Sequence, residues 1–128
     1  MKLIDTSVAV DHLRGFGRAT ALLEELVQSD ERLVASELTQ FELLSGIRTD
    51  EGAALERFSL VVDWVPVLED VSRQAGAYAR SYRRSHSGIG AVDYLIAATA
   101  SVLGAGLLTV NVRHFPMFED LEAPYSYD

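Results

Sequence analysis

Three acidic residues interrupt apolar stretches of the sequence. Asp93 is the only charged residue in the 26-residue span 87–112. Asp5 follows a short apolar start, and Glu42 lies inside a Phe-Glu-Leu-Leu run. A carboxylate among apolar side chains is strongly unfavourable unless something compensates its charge. The pattern therefore indicates one shared cation, with Asp5, Glu42 and Asp93 around it.

Carboxylate oxygens favour Mg²⁺ or Mn²⁺, which proteins usually hold through a few carboxylates and several water molecules. Zinc is disfavoured, because His12, His86 and His114 are not at the paired spacings of zinc ligands and the chain has no Cys. Asn111 follows an apolar strand-like segment and adds a fourth oxygen-bearing side chain. Thr6, Ser7 and Thr109 are candidates for orienting the ligands.

Each of these residues also has a purely structural interpretation. Asp5 can cap the helix that follows it, Glu42 can pair with an arginine such as Arg48, and Asp93 can bind the first amides of its own helix. Thr6 and Ser7 can equally be caps, Asn111 a turn residue and His114 a packing residue. The convergence of three acids favours the site over three separate structural roles.

The elements that must position these residues alternate between short strands and helices. Strands are predicted at 3–4, 33–35 and 107–110, with an extended segment at 61–68 that Pro66 interrupts. Helices are predicted at 6–14, 17–28, 37–47, 52–60, from 69 to the basic stretch near 84, and through the apolar segment after Gly90. Helical connections between apolar strands predict a three-layer α/β fold with a central parallel sheet. In such sheets sites form beyond the carboxyl ends of the strands, where Asp5 and Asn111 fall.

Composition is consistent with one domain over residues 1–128. The net charge of −8 argues against a protein that grips nucleic acid through a broad basic surface, but it does not exclude a nuclease. The absence of Cys and of a signal-peptide pattern predicts a cytoplasmic protein. The apolar run 89–112 approaches the length of a membrane span, but Asp93 in its interior and the Gly-Ala-Gly break at 104–106 argue against one.

Positive charge is concentrated just upstream of Asp93, in Arg80, Arg83, Arg84 and His86. A cationic approach beside an acidic centre suits a phosphodiester substrate. The same residues can instead be a solvated helix end, where cations are favoured by the helix dipole.

Four segments of the chain together resemble the successive motifs of PIN-domain ribonucleases, in particular the VapC toxins of toxin–antitoxin pairs. They are IDTSV at 4–8, ELTQFELLSG at 37–46, DYLIAATA at 93–100 and LTVNVRHF at 108–115. Any one of these segments is a weak signal. Their order and separations, which run through almost the whole chain, are specific.

This resemblance implies a PIN fold and an Mg²⁺- or Mn²⁺-dependent endoribonuclease. It gives catalytic positions to Asp5, Glu42, Asp93 and Asn111, with Asp5 and Asp93 as direct metal ligands and Glu42 acting through water. Many PIN domains have a fourth acid where this chain has Asn111, which leaves the number of metal ions open. Arg80, Arg83, Arg84 and Arg113 are candidates for contacting RNA.

The resemblance also implies a VapB-like antitoxin as partner and a homodimer or a complex with that antitoxin. Phe16, Leu22, Leu23, Leu44 and Ile47 are candidates for the groove that receives it, although their helical spacing is also typical of core residues. The alternative is a catalytically silent PIN-like module that binds RNA or protein. A receiver domain is disfavoured because the only Lys is Lys2.

Overall fold

The computed structural model describes residues 1–128 and has four strands, six α-helices and one 3₁₀ turn. The strands are β1 (Lys2–Ile4), β2 (Leu33–Ser36), β3 (Asp63–Val65) and β4 (Gly106–Leu108). The helices are α1 (Thr6–Leu13), α2 (Gly17–Gln28), α3 (Glu37–Gly46), α4 (Gly52–Val61), α5 (Glu69–Tyr82) and α6 (Ala91–Leu103). The 3₁₀ turn covers Val112–His114. The predicted alternation of strands and helices is confirmed, with ends that shift by a few residues.

All strand pairs are parallel, and the sheet order is β3-β2-β1-β4. The chain moves outward from β1 through β2 to β3 and then returns to place β4 on the other side of β1. Such a reversal of strand order opens a crevice at the carboxyl end of the sheet, which is where α/β proteins bind ligands. Asp5 directly follows β1 and therefore lies at this crevice.

Successive strand residues point to opposite faces of the sheet and build two layers of core. Ile4 packs on the face covered by the first four helices, in a cluster with Val8, Leu43 and Phe58. Leu3 packs on the other face with Ile96, Ala97 and their neighbours on α6. The predicted three-layer α/β architecture is confirmed, with α5 packed outside α6 through Val71, Ala75, Tyr94 and Ala98.

The apolar run 89–112 divides into a helix and a strand at the Gly-Ala-Gly break, as predicted. Gly104 adopts a left-handed conformation with φ of +65° and ends α6, and β4 begins two residues later. No helix combines the length and the apolar character that crossing a bilayer requires.

The last strand is shorter than the predicted 107–110 segment. It ends at Leu108; beyond it, the backbone N–H of Val110 bonds to the Ser7 side chain instead of a neighbouring strand, and the Thr109 hydroxyl bonds to Asp5. The two residues that leave the ladder enter the crevice beside Asp5.

Candidate active site

One pocket collects the acidic residues singled out in the sequence. It has a volume of about 380 Å³ and lies at the carboxyl end of β1. Its lining includes Asp5, Thr6 and Ser7 from the start of α1, Glu42 from α3, Asp93 from α6 and Asn111 after β4. Asp11 and Tyr127 also line it, and neither was predicted from the sequence.

The Asp5 carboxylate is held by two side-chain hydroxyl groups rather than by the backbone amides of α1. It occupies the N-cap position of α1, but its side chain makes no capping hydrogen bond. Its Oδ2 accepts hydrogen bonds from Ser7 Oγ and Thr109 Oγ1, both at 2.7 Å. Asp5 is only 3% exposed and its Oδ1 accepts no hydrogen bond from the chain. The capping interpretation of Asp5 is therefore wrong, and one carboxylate oxygen remains for a ligand.

Glu42 is oriented in the same way from the neighbouring helix. Its Oε1 accepts a hydrogen bond of 2.7 Å from Thr6 Oγ1, and Thr6 in turn contacts Thr39 Oγ1 at 3.0 Å. Glu42 forms no ion pair with Arg48 or with any other basic group. The proposed pairing of Glu42 with Arg48 is wrong.

Asp93 sits on the third residue of α6 and is partly buried, with 25% of its side chain exposed. Its Oδ2 lies 3.1 Å from His114 Nδ1. Burial raises the pKa of Asp93 above its ordinary value, and the charge of Asp5 adds to that rise. His114 and the backbone N–H of Gly90 oppose it. The contact with Gly90 gives Asp93 part of the capping role considered above, but its carboxylate still faces the pocket.

The three residues predicted to orient the ligands lie beside the acids, and their functional role stays a prediction. Thr6, Ser7 and Thr109 each donate a hydrogen bond to one of the acids, and Asn111 is exposed at the rim, where its backbone N–H bonds to Thr109 Oγ1. Together they form a hydrogen-bond scaffold that fixes two carboxylates from elements far apart in the sequence. Thr39 belongs to this scaffold and was missed, although its spacing three residues before Glu42 puts both on one face of α3.

The arginines predicted to contact a substrate are separated by the fold. Arg80, Arg83 and Arg84 are exposed at the end of α5 and do not line the acidic pocket. Arg113 lines an adjoining cleft of about 340 Å³ together with His86, Ile89 and His114. Because His114 also contacts Asp93, this cationic cleft borders the acidic one directly.

The acids do not form a closed metal cage. No group of three or more His, Asp or Glu side chains lies close enough to hold an ion between them. The donor set still fits a hard divalent cation, since Mg²⁺ is commonly bound by one or two carboxylates and several waters. Asp5 and Glu42 each keep one oxygen without a hydrogen bond from the chain and have no basic partner.

Comparison with known proteins agrees with this geometry. A family model described as the PIN domain matches residues 2–119. The chain is 61% identical to Ribonuclease VapC19 of Mycobacterium tuberculosis over 125 residues, which cover 98% of this chain and 100% of that protein. A toxin–antitoxin complex from Klebsiella pneumoniae has a chain with the same fold, with a TM-score of 0.79, 22% identity and coverage of 98% of both chains.

The structure of VapBC-1 from nontypeable Haemophilus influenzae is also similar, with a TM-score of 0.74, 26% identity and coverage of 95% of both chains. The family match extends through all four motifs and contains every acid of the pocket. The chain therefore belongs to the PIN-domain family, as a member of its VapC group.

Proposed function

We propose that this protein is a metal-dependent endoribonuclease and the toxin of a VapBC-type toxin–antitoxin pair. The observation that carries the proposal is the convergence of Asp5, Glu42 and Asp93 on one pocket, with hydroxyl groups fixing two of them. The identity to a protein named as a ribonuclease supports the reaction class.

The cofactor in this proposal is Mg²⁺ or Mn²⁺, held directly by Asp5 and Asp93 and through water by Glu42. A bound divalent cation acidifies a water molecule and neutralises charge that builds on the phosphate. Ser7 and Thr109 both donate to Asp5 Oδ2, which leaves Asp5 Oδ1 free to bind the cation. Thr6 holds Glu42 in the same manner, so the carboxylates need no reorganisation when the substrate arrives.

The cationic cleft supports an RNA substrate. Arg113 is exposed there, and the cleft continues from the acidic pocket through the His114–Asp93 contact. A phosphate next to the scissile one can occupy this cleft and bind the Arg113 guanidinium, which matches phosphate geometry. Arg80, Arg83 and Arg84 are exposed at the end of α5 and stay candidates for contacting a longer RNA.

The antitoxin partner has a candidate surface between α3 and α4. A cleft of about 520 Å³ is lined by Leu44, Ile47, Leu55 and Leu60, and Leu60 is 85% exposed. An amphipathic helix placed in such a groove buries this apolar area. Of the groove residues predicted from the sequence, only Leu44 and Ile47 lie here. Leu22 and Leu23 pack on the core, and Phe16 contacts two tyrosines. The homodimer stays a prediction.

Cleavage of a mixed pool of structured RNA tests the proposal. The purified protein is compared with Asp93→Asn in Mg²⁺, in Mn²⁺ and with chelator. Asp50→Asn is the matched control, since Asp50 is exposed and makes no hydrogen bond or ion pair. We expect discrete cuts that require metal, persist in the control and vanish in Asp93→Asn. Cuts of equal strength in both variants contradict the proposal, and metal or RNA binding without any cleavage favours a silent binding module.

A further inference from the structure

The segment 125–127 folds back onto the first two helices beside the acidic pocket. Tyr125 and Tyr127 both donate hydrogen bonds of 2.7 Å to the same oxygen, Asp11 Oδ2. Between them Arg18 Nη1 bonds to the carbonyl oxygen of Ser126 at 2.5 Å. The same Arg18 nitrogen also bonds to Ser126 Oγ at 3.2 Å, so four polar contacts tie this segment to α1 and α2.

The two tyrosines differ in what else they do. Tyr125 packs on the hydrophobic core formed by α1 to α4 and the sheet, so its ring has a structural role. Tyr127 is 62% exposed, and it lines the pocket that contains Asp5, Glu42 and Asp93. Anchoring of the segment 125–127 to Asp11 explains the Tyr127 hydroxyl. It does not explain why an aromatic ring, in addition to that of Tyr125, lies at the wall of the pocket.

The Tyr127 ring is held in place before any ligand arrives. Its centroid lies 5.3 Å from that of Phe16 and 6.3 Å from that of Tyr125, in tilted and edge-on arrangements. Burial and the bond to Asp11 raise the pKa of the Tyr127 hydroxyl to about 12, and a tyrosine hydroxyl is neutral at physiological pH in any case. A ring that is already ordered loses little conformational freedom when it binds.

The chemistry of the pocket makes an uncharged contact valuable. Every charged side chain in its lining is acidic, namely Asp5, Asp11, Glu42 and Asp93, and Tyr127 is its only aromatic residue. Acidic side chains repel the RNA backbone wherever no cation intervenes. Proteins that bind single-stranded RNA commonly obtain affinity from bases stacked on aromatic side chains, which does not depend on charge.

We propose that Tyr127 is a stacking platform for an unpaired nucleobase next to the cleaved phosphodiester, and so a residue that favours RNA with an unpaired base at that place. This inference rests on the proposed ribonuclease function and adds to it the substrate class, a single-stranded RNA segment with a base free to leave its own stack. Asp11 and Phe16 are positioning residues for the ring.

The test uses a short single-stranded oligonucleotide that spans a site cut by the wild-type protein. Tyr127→Phe and Tyr127→Trp keep a ring, whereas Tyr127→Leu removes it. Tyr125→Phe is the control, because it deletes a hydrogen bond to the same Asp11 oxygen without touching the exposed ring. Thermal unfolding establishes that each variant is folded.

We expect Tyr127→Leu to raise KM by roughly 5- to 100-fold, the fold-change that corresponds to stacking one base, with little change in kcat. The Phe, Trp and Tyr125→Phe variants should stay within about threefold of wild type. An abasic nucleotide placed at one flanking position should raise KM for the wild type and have no further effect on Tyr127→Leu, since both changes remove the same contact.

Other outcomes separate the inference from the function on which it rests. A wild-type KM for Tyr127→Leu, or additive effects of the variant and every abasic position, overturns the stacking role and leaves the nuclease intact. Loss of antitoxin co-purification with unchanged RNA kinetics assigns the ring to the protein partner and also overturns it. Absence of metal-dependent cleavage by the wild type overturns both proposals. If Tyr127→Leu fails to fold, the two variants that keep a ring decide. A large rise of KM in both Tyr127→Phe and Tyr127→Trp would show that the hydroxyl bond matters and the ring does not, which overturns the stacking role.

Discussion

The hydroxyl of Thr109 donates a 2.7 Å hydrogen bond to Asp5 Oδ2, although the two residues are 104 positions apart in the chain. Thr109 is fully buried and Asp5 nearly so. Since the acceptor is a carboxylate, this bond belongs to the stronger class of hydrogen bonds in proteins. It joins the residues that follow two neighbouring strands, β1 and β4, at the edge of the sheet where the pocket opens.

Replacing Thr109 with Val should therefore lower the free energy of unfolding by about 1–3 kcal/mol, because an isosteric side chain leaves the buried carboxylate with one donor fewer. Metal affinity should fall as well, since Asp5 loses half of its support. Urea unfolding and titration calorimetry with Mn²⁺ measure the two effects. Thr99→Val is the control: Thr99 is equally buried but bonds to Leu95 O in its own helix. A variant of Thr109 that binds Mn²⁺ like wild type would contradict the orienting role.

Asp93→Asn should unfold at the same temperature as the wild type or higher at neutral pH without metal. Burial raises the pKa of Asp93, so the folded protein binds a proton more readily than the unfolded chain does. The free energy of unfolding therefore decreases as the pH rises from the pKa of Asp93 in the unfolded chain to its pKa in the folded protein. Above that window the ionised Asp93 carboxylate destabilises the folded protein. Asparagine removes that cost. Differential scanning calorimetry in chelator measures it, and a large drop in Tm would show that Asp93 is a structural residue.

The titration of His12 should lower the free energy of unfolding in mildly acidic solution. Burial lowers its pKa below the ordinary value, and the charge of Arg57 lowers it further, while Glu24 opposes the shift. In the unfolded chain His12 binds a proton near pH ~6.5, whereas in the folded protein it does so only at lower pH. The contribution of His12 to the free energy of unfolding is therefore complete above that pH and is lost as the pH falls through the pKa of the folded protein.

His12→Gln keeps a hydrogen-bonding partner for Thr20, which His12 Nδ1 contacts at 2.9 Å, but does not titrate. Its free energy of unfolding should vary less between about pH 7 and 5 than that of the wild type. Urea unfolding at several pH values gives the comparison, with the exposed His86→Gln as control. Parallel pH profiles for wild type and His12→Gln would refute the assignment.

Leu60→Asp and Leu44→Asp should weaken antitoxin binding and leave RNA cleavage unchanged. Both side chains are largely exposed in the groove between α3 and α4, so a charge there costs little in the free protein and much in an apolar interface. Co-expression with the adjoining small gene and co-purification measure the effect. Val102→Asp, an exposed apolar position on α6, is the matched control. Equal retention of the antitoxin by all three variants would place its binding surface elsewhere.

Much of the fold and the centre of the site could be predicted because they depend on local patterns. Short apolar strands bounded by helices indicated a parallel sheet, and oxygen-bearing side chains that come after strands were expected at its carboxyl edge. Asp5 and Asn111 follow this rule. Asp93 was conspicuous because nothing else in its helix is charged. Its grouping with Asp5 and Glu42 was predicted from the way each acid interrupts an apolar pattern and from the resemblance to PIN domains, and all three line one pocket.

The remaining contacts depend on how distant segments pack, which periodicity does not encode. His114 was considered a packing residue, yet the turn after β4 brings it to Asp93. Asp11 looked like an ordinary acid on the polar side of a helix, and nothing near it in the sequence indicated two tyrosine partners more than 110 residues away. The predicted cluster of Arg80, Arg83 and Arg84 failed to reach the pocket for the same reason: closeness in sequence to Asp93 did not become closeness in space.

The position of β4 beside β1 has a consequence for the order in which the chain is synthesised. A ribosome produces Asp5 and Glu42 first, whereas β4 and the following Thr109, which bonds to Asp5, are made later, 104 positions after Asp5 in the case of Thr109. Pairing of strands so far apart in sequence is slow relative to local helix formation. A nascent chain therefore contains Asp5 and Glu42 well before it contains the hydroxyl that orients Asp5, so the oriented pocket forms only after β4 has paired with β1.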